Sequence, residues 1–122
     1  MRYSEVDIAL DPFPWNGGTT TCEAMWMGVP VISLAGDRFL SRMGVSMLNG
    51  VGLSDWVAQT PDEYVALAVF WSNNLPELSK LRAGLRSQMA ASPLVDAERF
   101  TRNREGAYRE MWNRWCSAKG QT

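Results

Sequence analysis

The first half of the chain contains short apolar runs separated by turn residues. The run Val6–Asp11 is closed by two prolines and predicts a β-strand, and the β-branched run Val29–Leu34 predicts a second one. Between them, Thr19–Met27 predicts a helix that Gly28 ends and that a threonine or an asparagine caps. A strand, a helix and a strand in close succession are typical of a βαβ unit with parallel strands.

Residues 35–58 predict one further helix and one further strand. Asp37 is placed to cap a helix over residues 38–48, which Asn49 and Gly50 end, and residues 55–58 predict a short third strand. The predicted fold class is therefore α/β, a partial Rossmann-like lobe in which two to three parallel strands are followed by several helices.

From residue 59 onward the apolar positions recur at helical spacing. Thr60 and Pro61 open a helix as cap and first-turn proline, Pro76 lies in the first turn of the next, and Ser92–Pro93 stops it. Asp96 opens a final helix with an apolar stripe, whose members are Phe100, Tyr108, Met111, Trp112 and Trp115. We interpret this stripe as core or interlobe contact rather than as a cofactor site.

The predicted elements form a single unit over residues 1–122, with a βαβ part at 1–58 and a helical part at 59–122. Parallel sheets normally have more strands than this and are covered on both faces. Because the first strand begins almost at the first residue, we expect the chain to be a fragment of a larger sheet. An exposed strand edge and exposed apolar surface predict self-association, by edge pairing or by exchange of the last helix.

Composition narrows the possible chemistry. The 12 basic and 13 acidic residues leave a net charge of −1, which favours binding neither to nucleic acid nor to a membrane surface. The chain has no histidine, and Cys22 and Cys116 are too far apart in sequence for a zinc site, so no metal site is expected. A disulfide between the two cysteines is one alternative, and reduced thiols in a cytoplasmic protein are the favoured interpretation.

The segment with most chemical information follows the first strand and opens a helix. Its candidate ligand-binding residues are Asn16, Gly17, Gly18, Thr19, Thr20 and Glu23. Free N–H groups at a helix start favour an anion, glycines let a phosphate approach, and Thr19 and Thr20 add hydroxyl donors. Glu23, one turn later, could accept hydrogen bonds from a ribose diol. The alternative is a glycine turn with threonine caps and a solvated glutamate.

Other charged residues have plainer interpretations. Asp7 and Asp11 are predicted on one face of a strand, where turn and cap roles are favoured over acid–base catalysis. Arg38 and Arg42 are expected to be solvated or paired rather than phosphate ligands. The same solvated role is expected for the arginines of the final helix, which alternate with acids and are Arg99, Arg102, Arg104, Arg109 and Arg114.

Three stretches together make the chain recognisable. They are Asp7–Pro14, Asn16–Ala24 and Met27–Ile32, with sequences DIALDPFP, NGGTTTCEA and MGVPVI. This combination resembles the C-terminal catalytic region of the protein O-GlcNAc transferase and SPINDLY family. Similarity continues to Tyr108–Trp112 and is greatest to bacterial members, which usually carry tetratricopeptide repeats upstream.

The resemblance implies a GT-B glycosyltransferase, in which two Rossmann-like lobes bind a nucleotide-sugar between them. By position, Thr19 and Thr20 would contact the diphosphate and Glu23 the ribose, where the family often has aspartate. Gly18 stands where some members have histidine. The implied reaction moves a sugar from a UDP- or GDP-sugar to Ser or Thr of a protein acceptor, without a metal ion or other cofactor.

The same resemblance implies that essential parts lie outside this sequence. The family's phosphate-binding lysine and histidine, the first strands of this lobe and the whole N-terminal lobe are upstream of the matching segment. We therefore assign no catalytic residue here and expect the isolated chain to be inactive, with nucleotide binding near millimolar, about −4 kcal/mol. The alternative function is a non-enzymatic interaction or assembly module on the glycosyltransferase scaffold.

Overall fold

The computed structural model describes residues 2–119. In chain order, the strands and helices are β1 (Ala9–Leu10), α1 (Thr19–Trp26), β2 (Val31–Leu34), α2 (Met43–Val51), β3 (Val57–Ala58), α3 (Pro61–Asn73), α4 (Leu75–Ala90) and α5 (Ala97–Lys119). Single turns of 3-10 helix lie at Tyr3–Glu5, Phe39–Ser41 and Ser54–Trp56.

The strands form a parallel sheet in the order β1-β2-β3, which confirms the predicted α/β class. Ala9 pairs with Val31 in β2, and Leu34 at the other end of β2 pairs with Ala58. All four residues of β2 are buried, as expected for the central strand of a sheet covered on both faces. Within residues 2–119, β1 pairs with β2 alone, so its other edge is open.

The core lies between this sheet and the first four helices. Met25 of α1, Ile32 of β2, Leu48 of α2 and Leu85 of α4 are fully buried in one hydrophobic cluster. These four side chains therefore fix the positions of α1 and α2 relative to the sheet.

The strands are shorter than predicted. Of the predicted strand over residues 6–11, only Ala9–Leu10 pairs with β2, and Asp7 instead forms a salt bridge with Arg82 of α4. The second strand begins at Val31 rather than at residue 29. Of the predicted strand over residues 55–58, only the last two residues form β3, because the first two belong to a 3-10 turn.

Two of the predicted helix caps are confirmed, those at the starts of α3 and α5. Thr60 Oγ1 accepts from the Glu63 N–H at 3.2 Å, and Asp96 Oδ1 accepts from the Arg99 N–H at 2.9 Å. The predicted threonine or asparagine cap of α1 is wrong, because Gly18 occupies that position without any side-chain hydrogen bond. The start of α1 is thus left open.

The predicted helix over residues 38–48 is divided in two. Residues 39–41 form a 3-10 turn, and α2 begins only at Met43. The predicted cap at Asp37 is wrong, because Arg38 occupies the cap position of the 3-10 turn. Helix α2 continues past Asn49 and Gly50 and ends at Gly52, whose φ of +82° only glycine adopts readily.

Helix α5 lies outside the core. Every residue from 97 to 118 is exposed, including Met111 at 63% and Trp112 at 61%. The interpretation of its apolar stripe as core is therefore wrong, and interlobe contact stays a prediction. Its arginines lie on a solvated face, where Arg102 pairs with Glu98. No helix within residues 2–119 combines the length and the apolar character needed to cross a membrane.

Candidate functional site

The candidate site lies where β1 ends and the chain turns toward α1. Because the strands are parallel, their carboxyl ends share one side of the sheet, which is where open α/β sheets bind ligands. The loop over residues 11–18 spans this side and delivers the start of α1 to it. The start of α1 therefore lies on the side of the sheet where such folds bind ligands.

The first N–H groups of α1 are available to a ligand. The Gly17 N–H donates to Asp11 Oδ1 at 2.7 Å, whereas the N–H groups of Gly18, Thr19 and Thr20 have no partner in the part of the chain that the structure describes. Thr19 and Thr20 are exposed. Three adjacent donors at the positive end of a helix dipole suit an anionic group.

The two glycines before α1 are packed closely, Gly17 more tightly than Gly18. A Cβ on Gly17 would lie 2.5 Å from Thr21 Oγ1 and 2.8 Å from Thr20 Oγ1, and one on Gly18 would lie 3.0 Å from Met43 Cε. Gly17 is thus packed beneath the threonine hydroxyls, and Gly18 lies beside α2. A side chain at Gly17 would displace these hydroxyls, whereas one at Gly18 would press only on the flexible end of Met43.

Asn16 is used inside the fold. It is 2% exposed, its Nδ2 donates to the Pro12 carbonyl at 3.1 Å, and its Oδ1 accepts from the Gly44 N–H at 3.4 Å. Its own N–H donates to the Leu40 carbonyl at 3.0 Å. Of the predicted site residues, Asn16 is therefore placed to hold the loop against α2 rather than to face solvent.

Glu23 is exposed one helical turn after Thr19 and lies beside a residue that the sequence did not single out. The Tyr3 hydroxyl donates to Glu23 Oε2 at 3.5 Å. Burial and the neighbouring Glu23 charge raise the pKa of Tyr3, so the phenol stays protonated and able to donate. Tyr3 could not be recognised from spacing, since 20 residues separate it from its partner.

Open cavities flank the start of α1. One of about 210 Å³ lies between the end of β1 and α1, and its lining includes Tyr3, Leu10, Asp11, Gly17 and Thr20. Another of about 550 Å³ lies at the start of α2 and is lined by Phe39, Arg42, Met43, Val45, Ser46 and Met47. Thr20 lines the first cavity, and Met43, which lines the second, lies next to Gly18.

Asp11 is the buried carboxylate of the loop between β1 and α1. Its side chain is buried, with Ser33 Oγ donating to Oδ2 at 2.6 Å and the Gly17 N–H donating to Oδ1. Burial raises the pKa of this carboxyl, and the two hydrogen bonds partly oppose the increase. Asp11 therefore serves the turn, as predicted. It does not form a pair with Asp7, which lies outside β1 and binds Arg82.

The remaining candidates have structural partners. Arg42 Nη1 donates to the Gly36 carbonyl at 2.9 Å, and Arg38 lies 4.0 Å from Asp37, so both arginines are paired as predicted. Cys22 and Cys116 are free thiols, which excludes the disulfide alternative.

Comparison with known proteins identifies the same family as the resemblance of the sequence. A family model described as glycosyl transferase family 41 matches residues 2–104. A probable UDP-N-acetylglucosamine–peptide N-acetylglucosaminyltransferase SPINDLY of Hordeum vulgare is 50% identical over 116 residues, which are 95% of this chain and 12% of that protein. The Arabidopsis thaliana SPINDLY protein is 46% identical over 119 residues, 98% of this chain and 13% of that protein.

A solved structure extends the similarity to the backbone. A mutant of the Thermobaculum terrenum O-GlcNAc transferase superposes with a TM-score of 0.88 at 39% identity, covering 95% of this chain and 22% of that one. The chain thus spans about an eighth of the length of these plant relatives. Upstream tetratricopeptide repeats, a bacterial origin and a cytoplasmic location stay predictions.

Proposed function

The chain belongs to glycosyltransferase family 41, and from that premise we propose that it binds the diphosphate and ribose of a nucleotide-sugar donor. In this proposal it is the C-terminal part of an enzyme that transfers a sugar to Ser or Thr of a protein acceptor. The observation that carries the proposal is the row of N–H groups on Gly18, Thr19 and Thr20 at the start of α1, which have no partner within residues 2–119.

The diphosphate is assigned to this row because of its charge. The exposed N–H groups and the hydroxyls of Thr19 and Thr20 can donate to phosphate oxygens, and the helix dipole adds a favourable field. Glu23, one turn further along α1, is left to accept from the ribose hydroxyls, and Tyr3 holds the Glu23 carboxylate by hydrogen bonding. Asn16 and Gly17 shape the loop that presents these groups.

This arrangement also gives the chain a part in the reaction. When the bond between the sugar and the diphosphate breaks, negative charge increases on the departing diphosphate. Fixed N–H donors stabilise such a charge better than water does, because they are already oriented before the bond breaks. The chain would thus stabilise the leaving group, while acceptor and base are held by the rest of the enzyme, including its N-terminal lobe.

A UDP-sugar is the favoured donor, since the relatives' names specify UDP-N-acetylglucosamine; a GDP-sugar is the alternative. Isothermal titration of UDP and of GDP into the protein in its natural full length tests both. We expect one nucleotide to bind, and Glu23→Gln to weaken it about tenfold, about 1.4 kcal/mol.

Glu98→Gln is the matched control, because it removes the same charge from an exposed first turn, that of α5. It should leave the affinity unchanged. Failure of the full-length protein to bind either nucleotide would contradict the proposed function.

The exposed stripe of α5 favours a second role, in association. Aromatic side chains such as Tyr108 and Trp112 are more than half exposed on a helix that no core residue covers. We propose that this face contacts another body, either the N-terminal lobe or a second copy of the chain. A purely non-enzymatic assembly module would keep this contact but show no nucleotide binding, so the titration above separates the two functions.

A further inference from the structure

We propose that Asp11 is a positioning residue for nucleotide-sugar binding. It acts through the Gly17 N–H, which fixes the loop that presents the free N–H groups of α1. The inference rests on the proposed function and extends it from the residues that face the ligand to one that cannot. Asp11 is 2% exposed and both of its carboxylate oxygens are already hydrogen-bonded within the protein, so the carboxylate is not placed to contact the nucleotide itself. Any effect of this side chain on binding must pass through the residues that it holds.

Both carboxylate oxygens of Asp11 are committed. Oδ1 accepts from the Gly17 N–H at 2.7 Å and Oδ2 accepts from Ser33 Oγ at 2.6 Å, distances typical of strong hydrogen bonds to a carboxyl group. Ser33 lies in β2, the most buried strand. The contact therefore links the glycine turn to the buried central strand of the sheet.

The consequence for the loop follows from the order of the N–H groups. With the Gly17 N–H directed into the protein at Asp11, the next three N–H groups belong to the open start of α1. Gly17 is also packed against the hydroxyls of Thr20 and Thr21. Losing the Asp11 contact would release a glycine, the residue with the widest choice of backbone conformations, directly before the donors.

The effect on affinity comes from preorganisation. Donors that are fixed before the ligand arrives lose no further conformational freedom on binding, whereas a released loop must be ordered at that moment. We therefore expect Asp11→Ala to weaken UDP or GDP binding about tenfold in protein that is still folded.

Titration of UDP and GDP into the protein in its natural full length tests this, with two comparison variants. Asp11→Asn keeps an acceptor oxygen for the Gly17 N–H and should restore affinity to within about twofold of the wild type. Tyr64→Phe is the matched control, because the Tyr64 hydroxyl donates at 2.8 Å to the backbone carbonyl of Asp11 and not to its carboxylate. It should lower the stability of the protein by removing a hydrogen bond to Asp11, without changing the affinity for UDP or GDP.

A measurement on the wild type makes the test independent of how well Asp11→Ala folds. In residue-resolved hydrogen exchange, the Gly17 N–H should be protected before nucleotide is added, and Thr19 and Thr20 should gain protection only on adding it. Rapid exchange of Gly17 in the free protein would overturn the inference.

The remaining outcomes are distinct. Unchanged affinity in folded Asp11→Ala would overturn this inference alone, and so would an equal loss in Tyr64→Phe. No nucleotide binding by the wild type would overturn the proposed function and this inference with it.

Discussion

Gly44 allows a direct test of how tightly the loop is packed against α2. It is buried at the start of that helix, where a Cβ would overlap Ser33 Oγ and lie 2.5 Å from Asp11 Oδ2. Gly50 lies in the same helix, and a Cβ there would meet no atom within 4 Å. The substitutions Gly44→Ala and Gly50→Ala therefore make the same chemical change in opposite packing environments.

The two substitutions are expected to change the free energy of unfolding in opposite directions. Replacing a helical glycine by alanine gains up to about 1 kcal/mol from backbone entropy and helix propensity. At Gly50 nothing opposes that gain. At Gly44 overpacking costs about 1–3 kcal/mol, and displacing Ser33 from Asp11 costs about 1 kcal/mol more. We expect Gly44→Ala to lower the free energy of unfolding by about 1–3 kcal/mol and Gly50→Ala to raise it by up to about 1 kcal/mol.

Urea and thermal unfolding of the two variants, followed by circular dichroism at the helix band, measure the difference. At roughly 4 °C for each kcal/mol in a domain of this size, the midpoints should differ by about 8–16 °C. Equal midpoints for the two variants, or a more stable Gly44→Ala, would refute the claim that Asp11, Ser33 and Gly44 form a close-packed contact.

Three further changes test the Tyr64 hydrogen bond, the Asp11 carboxyl and the exposed face of α5. Tyr64→Phe should lower the free energy of unfolding by about 1 kcal/mol, measured in urea, because it removes a partly buried hydrogen bond; no change would contradict that bond. Burial raises the pKa of Asp11 above its usual value of 3.8, so the folded state binds the proton more tightly than the unfolded state. The free energy of unfolding should therefore fall as the pH rises from 3.8 through the raised pKa of the folded state. Asp11→Asn should lack this decline across a pH series of denaturation curves, and parallel curves would contradict it. Replacing Met111 and Trp112 by serine should convert self-associated protein to monomer in sedimentation, whereas a wild type that stays monomeric at high concentration would oppose association through α5.

Elements with local signals were predictable from the sequence. Thr60 and Asp96 cap the helices that they were predicted to cap, because each side chain satisfies a donor three residues away. The β-branched run of β2 indicated a buried parallel strand for a similar reason, since the pattern and the structure it encodes occupy the same residues.

Features that depend on distant partners were not predictable in this way. Asp11 could be given a turn role, but its second partner, Ser33, is 22 residues away and no spacing rule connects them. Tyr3 reaches Glu23 only because the chain before β1 folds back against α1. Both contacts require the packing of one element on another.

The absent side-chain cap of α1 has a different cause. A threonine next to a helix start normally satisfies a backbone donor, so Thr19 and Thr20 favoured a cap. Here Gly18 takes the cap position, the threonines fall inside the helix, and the donors remain open. The open start of α1 is also where the proposed function requires free N–H groups, and such conflicts between local preference and structure are expected at functional sites.

The apolar stripe of α5 shows the limit of periodicity. Helical spacing correctly identified one apolar face but could not say what covers it, and residues 97–118 are exposed throughout. A periodic pattern defines the face of a helix, whereas its partner depends on the rest of the protein.

A crystal structure of the protein in its natural full length with a bound nucleoside diphosphate would test most directly whether the start of α1 binds the diphosphate. We expect phosphate oxygens within hydrogen-bonding distance of the N–H groups of Gly18, Thr19 and Thr20, with the ribose hydroxyls at Glu23. A nucleotide bound elsewhere in the protein, with the start of α1 covered by packed side chains, would contradict it.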